Sequence, residues 1–156
     1  MTTAAPASIP IPGPIPTLVD VTHRVEHVDT DAAGVMHFAR YASLLETACL
    51  DNLERLGGGV RRLALDGLEL AISEVRLNYF ASARYFDQGL LRPRGDRVGG
   101  ASWTMSVTAY RDEASPETVL ASGSLVLCLV DRATGAATRI PADIRDELRR
   151  HTGSAS

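Results

Sequence analysis

A chain of 156 residues, 45% hydrophobic and 22% charged, suits one domain with a sizeable core. A formal net charge of −3 excludes the strong basic footprint of a nucleic-acid binder, and no apolar run approaches the ~20 residues of a membrane-spanning helix. Cys49 and Cys128 lie in apolar runs without a CxxC partner, which speaks for reduced thiols in a cytoplasmic protein and against disulfides or zinc.

Residues 1–16, "MTTAAPASIPIPGPIP", lack a positive leading region and are broken by prolines, so they read as a disordered or surface-draped tail and not as a secretion signal. In "TLVDVTHRVEHV", Val19, Val21 and Val25 alternate with Asp20, Thr22, Arg24 and Glu26, the period of a half-buried strand. "DTDAAG" reads as a turn. From Phe38 to about Leu56 the period becomes helical, and the glycines at 57–59 stop it.

On a helical wheel Tyr41, Leu45, Ala48, Cys49, Leu53 and Leu56 gather on one side, opposite Arg40, Ser43, Thr47, Asp51 and Glu54. Leu44 and Leu50 interrupt the polar side, so the helix is expected to be covered over more than half its circumference. Glu46 falls at the edge of the apolar face. After a polar connection, strands are expected at 68–80, 84–94, 101–112 and 119–131, then a turn at 131–135 and a short helix opened by Pro141. Strand, long helix and four consecutive strands make an α+β layout: a curved, largely antiparallel five-stranded sheet wrapped around one long central helix. The domain is expected over 17–150, with 151–156 a flexible C-terminus.

The segment "VEHVDTDAAGVMHFARYASLLETACLDNLERLG" resembles the signature region of the 4-hydroxybenzoyl-CoA thioesterase family of the hot-dog superfamily. "SARYFDQGL" and "ASGSLVLCLVDRATGAATRIP" are similar to its later segments, so the likeness spans residues 19–148. It implies a hot-dog fold and hydrolysis of an acyl thioester on coenzyme A or an acyl carrier protein, with no metal or organic cofactor. Fatty acid or polyketide metabolism is the expected setting. The resemblance further implies Asp31 as the catalytic acid and the Phe38 N–H as the group that polarises the thioester carbonyl. It also implies a homodimer paired sheet edge to sheet edge, with sites at the subunit interface, assembling into a homotetramer.

Elementary chemistry supports those roles. A thioester carbonyl under attack becomes an oxyanion and needs donors already in place. The first N–H groups of a helix lack intrahelical partners and carry the positive end of its dipole. Beside them Asp31 suits direct attack or activation of water. An aspartate ahead of a helix also serves as an ordinary turn or cap residue, the role read for Asp29. Gly34 either admits substrate close to the backbone or takes a dihedral forbidden to other residues.

His37 at the helix start is read as a donor to the carbonyl or as a packed or solvent-facing residue. Glu46 is read as holding a substrate hydroxyl, orienting water or pairing with an Arg. His23 and His27 have no third ligand, so no metal site is expected. Gly123 is expected to allow close packing over the helix. Where relatives carry a "YHANY"-like segment this chain reads "HFARY": Tyr41 is kept and Arg40 replaces a neutral residue, as a surface charge or a substrate contact. Arg97 is the candidate for meeting a phosphate, with Arg92 and Arg94 on one strand face. Two rival functions share the fold. A hydroxyacyl-thioester dehydratase would use a His and a helix acid, and a non-catalytic protein would bind an acyl group or carrier.

Overall fold

A computed structural model describes residues 18–112 and 118–152; the expected tail at 1–16 and residues 153–156 lie outside them. In chain order the elements are β1 (Val21–Arg24), a 3-10 turn (His27–Asp29), α1 (Phe38–Gly57), α2 (Gly59–Leu65) and β2 (Leu68–Tyr79). There follow β3 (Gln88–Val98), β4 (Ser102–Arg111), β5 (Thr118–Asp131), β6 (Ala137–Thr138) and α3 (Ala142–Arg150). The sheet runs β1-β3-β4-β5-β2, with every pairing antiparallel and β6 added to β5. This is an α+β hot-dog fold, the sheet curled around α1.

The core forms where α1 meets the sheet. Leu45, Ala48 and Cys49 are fully buried on the helix, and Trp103, Met105, Val107, Leu125, Leu127 and Leu129 alternate inward along β4 and β5. Each large apolar side chain buried this way contributes about 1.5–3 kcal/mol. Leu44, which interrupts the polar side of the wheel, is buried as well, and Leu50 packs against the core. Gly123 sits where α1 approaches β5: a Cβ there would lie 2.6 Å from Leu45 Cδ2 and 2.4 Å from the Arg76 carbonyl. The close approach of helix to sheet therefore depends on the missing side chain.

Four local readings change. β1 ends at Arg24 because the Asp29 carboxylate accepts the Glu26 N–H at 2.8 Å and winds the chain into the 3-10 turn. The strand expected at 84–94 starts at Gln88 and reaches Val98. Residues 84–87 close a turn in which Asp87 N–H donates to the Arg84 carbonyl and the Asp87 carboxylate accepts the Arg84 N–H. The polar connection after α1 contains α2, whose Leu63 is buried. His151 and Thr152, assigned by sequence to the flexible C-terminus, are held instead: Thr152 bridges Gly95 and its hydroxyl donates to the Leu148 carbonyl.

Asn52 is buried on α1, a place where the periodicity calls for an apolar residue. Its side chain acts as a strand partner, accepting from the Val19 N–H at 2.7 Å and donating to the Val19 and Ala48 carbonyls. The chain ahead of β1 is thereby tied to the middle of the helix. At the far side of the sheet β2 is an edge strand twelve residues long, and Val75 and Tyr79 on it are each 46% exposed.

Candidate active site

The turn between the 3-10 segment and α1 closes on itself. Thr30 and Met36 form a β-bridge, Asp31 N–H donates to the Val35 carbonyl, and Gly34 N–H donates to the Asp31 carbonyl. Asp31 Oδ1 accepts from Ala33 N–H at 2.8 Å and Val35 N–H at 3.4 Å. Its other oxygen, Oδ2, has no hydrogen-bond partner among the described residues. The two readings of Asp31 thus divide between its two oxygens: one shapes the turn and the other is available. Gly34 has φ +79°, and a Cβ added there would meet nothing within 4 Å. The positive φ favours glycine here, and no protein atom crowds the position.

α1 begins at Phe38, and His37 caps it. His37 Nδ1 accepts the Ala39 N–H at 3.1 Å, and the His37 carbonyl accepts the Arg40 N–H. Of the first three amides of the helix, only that of Phe38 is without an acceptor among the described residues. It lies at the positive end of a twenty-residue helix.

Asp31 and Phe38 border the same cleft, of about 360 Å³, with Val35, Met36 and Tyr41 from the same stretch of chain. The opposite wall is Tyr79, Phe80, Ala81 and Ser82, the end of β2 and the loop after it. Tyr79 Oη donates to the Phe38 carbonyl at 2.8 Å, and the Tyr41 and Tyr79 rings meet edge to face at 5.4 Å. Burial raises the Tyr41 hydroxyl above its usual value, against a smaller opposing effect of its hydrogen bond with the Ala83 backbone. Tyr41 is therefore a neutral wall and not a base.

The loop forming the second wall is pinned from below. Arg111 on β4 donates to the Asp87 carboxylate at 3.3 Å and to the Ser82 carbonyl. Phe86 in that loop has φ +74°, a costly conformation for a bulky side chain. Its N–H donates to the Val25 carbonyl, and the Arg24 guanidinium lies 5.1 Å from its ring centre.

The structure thus brings Asp31, Phe38 and Tyr41 together at one cleft, with Gly34 in the turn beside Asp31. It places the other candidates elsewhere. His37 is exposed, with Nδ1 committed to the helix cap and its ring stacked on Phe38 at 4.6 Å, and it does not line the cleft. Glu46 is exposed about 12 Å farther along α1, over a separate hollow with Leu50, Val60, Leu68 and Arg132. Arg40 does not line the cleft; it donates to Asp29 at 2.6 Å and to Ser43 Oγ at 2.6 Å.

Arg97 does not line this cleft either. A bulge between Gly95 and Arg97 returns it to the outer sheet face opposite Thr104, the same face that carries Arg92 and Arg94. Cys49 is inert, burial and the nearby Glu46 charge pushing its thiol up to about 12. His23 Nε2 meets Asp29 Oδ2 at 2.7 Å.

Sequence reasoning missed the Tyr79–Ser82 wall. Two adjacent aromatics, Tyr79 and Phe80, end a strand and are 46% and 64% exposed; that pairing at a strand terminus was the available signal.

The family model described as the thioesterase superfamily matches residues 33–116, more than half of the chain and beginning just after Asp31. Among solved structures, the dynemicin thioesterase superposes with a TM-score of 0.79 at 28% identity, covering 87% of this chain and 98% of that one. A hypothetical protein from Thermus thermophilus gives 0.76 at 27% identity, covering 85% and 98%. A 1,4-dihydroxy-2-naphthoyl-CoA thioesterase from Synechocystis, at 16% identity, shares the fold with a TM-score of 0.75 over 83% and 94%.

Proposed function

This chain belongs to the thioesterase superfamily, and on that premise we propose that it hydrolyses an acyl thioester of coenzyme A or an acyl carrier protein at the Asp31–Phe38 cleft. One observation carries the reading: an unpartnered carboxylate oxygen and an unpartnered helix-start N–H, among the described residues, border the same cavity. The thioester oxygen accepts from the Phe38 N–H, which stabilises the negative charge formed on attack; a single such donor is worth about 10²–10³ in rate. Asp31 Oδ2 attacks the carbonyl carbon or takes a proton from the water that does. The C–S bond then breaks and the thiolate takes up a proton. When water is the attacker the free acid leaves at once, whereas direct attack leaves an Asp31–acyl anhydride that water splits in a second step into free acid and the Asp31 carboxylate. Single-turnover hydrolysis in ¹⁸O-water reports on the routes: water activation places the label in the released acid alone, and label in the Asp31 carboxyl group arises only from an anhydride opened by water at the Asp31 carbon.

The walls favour a flat, unsaturated or aromatic acyl group. Phe38, Tyr41, Tyr79 and Phe80 supply four rings, and the dynemicin thioesterase is described as binding a polyene. The edge of β2, unpaired among the described residues, supports assembly through that strand, and a partner copy there would lie beside Tyr79, at the mouth of the cleft. A dehydratase reading loses support because His37 and Glu46 do not share a cavity. The test is free-thiol release from panels of acyl-CoA and acyl-carrier substrates by wild type and Asp31→Asn. Turnover of none, with binding intact in both forms, would favour the non-catalytic reading.

A further inference from the structure

We propose that Arg40, acting through Asp29, is a positioning residue that sets the spacing between Asp31 and the Phe38 amide. The inference rests on the reading of those two groups as the reacting pair.

Asp29 is 1% exposed, so its charge is out of water and must be met by protein donors. Its carboxylate meets three of them, and its carbonyl a fourth. Oδ1 accepts from Arg40 Nε at 2.6 Å, and Oδ2 accepts from His23 Nε2 at 2.7 Å and Glu26 N–H at 2.8 Å. The backbone carbonyl accepts the His37 N–H at 2.8 Å. Asp29 stands two residues before Asp31, and its carbonyl grips the residue immediately before Phe38. Both ends of the 30–37 turn therefore converge on one residue.

Arg40 adds the helix to that clamp. It lies in the first turn of α1, where a cation alone opposes the helix dipole. The buried Asp29 charge reverses that penalty, and the guanidinium spans Asp29 and Ser43 Oγ, fixing its direction. The side chain is 37% exposed and does not line the cleft. Strand, turn and helix start are thus joined by an ion pair beside the site but outside it, and rate depends steeply on such spacing.

The test compares Arg40→Met with Arg40→Gln. The Gln amide nitrogen sits at the same distance along the side chain as Arg Nε, so it can donate to Asp29 without the charge; Met cannot donate. For Arg40→Met, kcat is expected to fall about tenfold or more with KM within about twofold, and Arg40→Gln to recover part of that loss. An unchanged kcat, a loss confined to KM, or a loss equal to the unfolded fraction measured by circular dichroism would overturn the proposal. If wild type hydrolyses no thioester, the functional reading fails separately. In that case the amide resonances of Ala33, Val35 and Phe38 decide: the proposal stands if Arg40→Met shifts them and falls if they stay.

Discussion

Replacing Asp31 by Asn separates the structural and chemical duties of that side chain. Asn keeps a carbonyl oxygen where Oδ1 now accepts from Ala33 N–H at 2.8 Å, so the turn retains its main hydrogen bond. Asn and Asp rank alike in such positions, and the stability change is expected to stay within about 0.5 kcal/mol. The negative charge at Oδ2 is lost, and with it the proposed nucleophile or base. The expected fall in kcat is about 10² or more, equivalent to about 2.7 kcal/mol in the barrier. Asp31→Ala removes both duties. It should match the rate loss and also cost about 1 kcal/mol of stability, lowering Tm by about 2–4 °C for a domain of this size. The assay is thiol release under saturating acyl-CoA, paired with thermal melts of all three proteins. An Asp31→Asn enzyme with wild-type kcat would refute the chemical assignment. An Asn variant as unstable as the Ala variant would refute the division of labour between the two oxygens.

Gly34→Ala meets no atom within 4 Å but must hold φ +79°, so about 1 kcal/mol of stability should be lost, with Gly34→Asn losing less; thermal melts rank the two. Gly123→Ala would press a methyl to 2.4 Å from the Arg76 carbonyl and 2.6 Å from Leu45, and urea unfolding should show about 1–3 kcal/mol lost. Burial raises the Asp29 carboxyl, but the bonds from Glu26, Arg40 and His23 outweigh it and hold it below 3.8. Because the folded value is the lower one, the stabilisation is complete above 3.8 and is lost as pH falls through the folded value. The difference in unfolding free energy between wild type and Asp29→Asn should therefore shrink as pH falls below 3.8. A difference independent of pH down to about 2 would contradict it.

The elements most legible in the chain were those that rest on periodicity. α1 was expected from Phe38 to about Leu56 and spans Phe38–Gly57, because its apolar positions follow one helical stripe and glycines end it. β4 and β5 alternate so regularly that their ends fall within a residue of expectation. Less legible were places where a side chain competes with the backbone. Asp29 cut β1 short by capturing an amide, and Asp87 turned four expected strand residues into a loop. The role of Asn52 had no signal in the sequence, because nothing in a helical wheel reveals that Val19 arrives there to be paired.

Composition and local pattern were enough to determine the α+β order, the buried face of the long helix and the turn carrying Asp31, since each depends on neighbours a few residues away. Only the tertiary structure decided which candidates share a cavity. Tyr79 and Phe80 reach the helix start because β2 lies antiparallel beside β5 and ends there, about forty residues along the chain from Phe38. Arg40 faces Asp29 and not the cleft for a similar reason: a buried charge within its reach had to be neutralised where no water could do it.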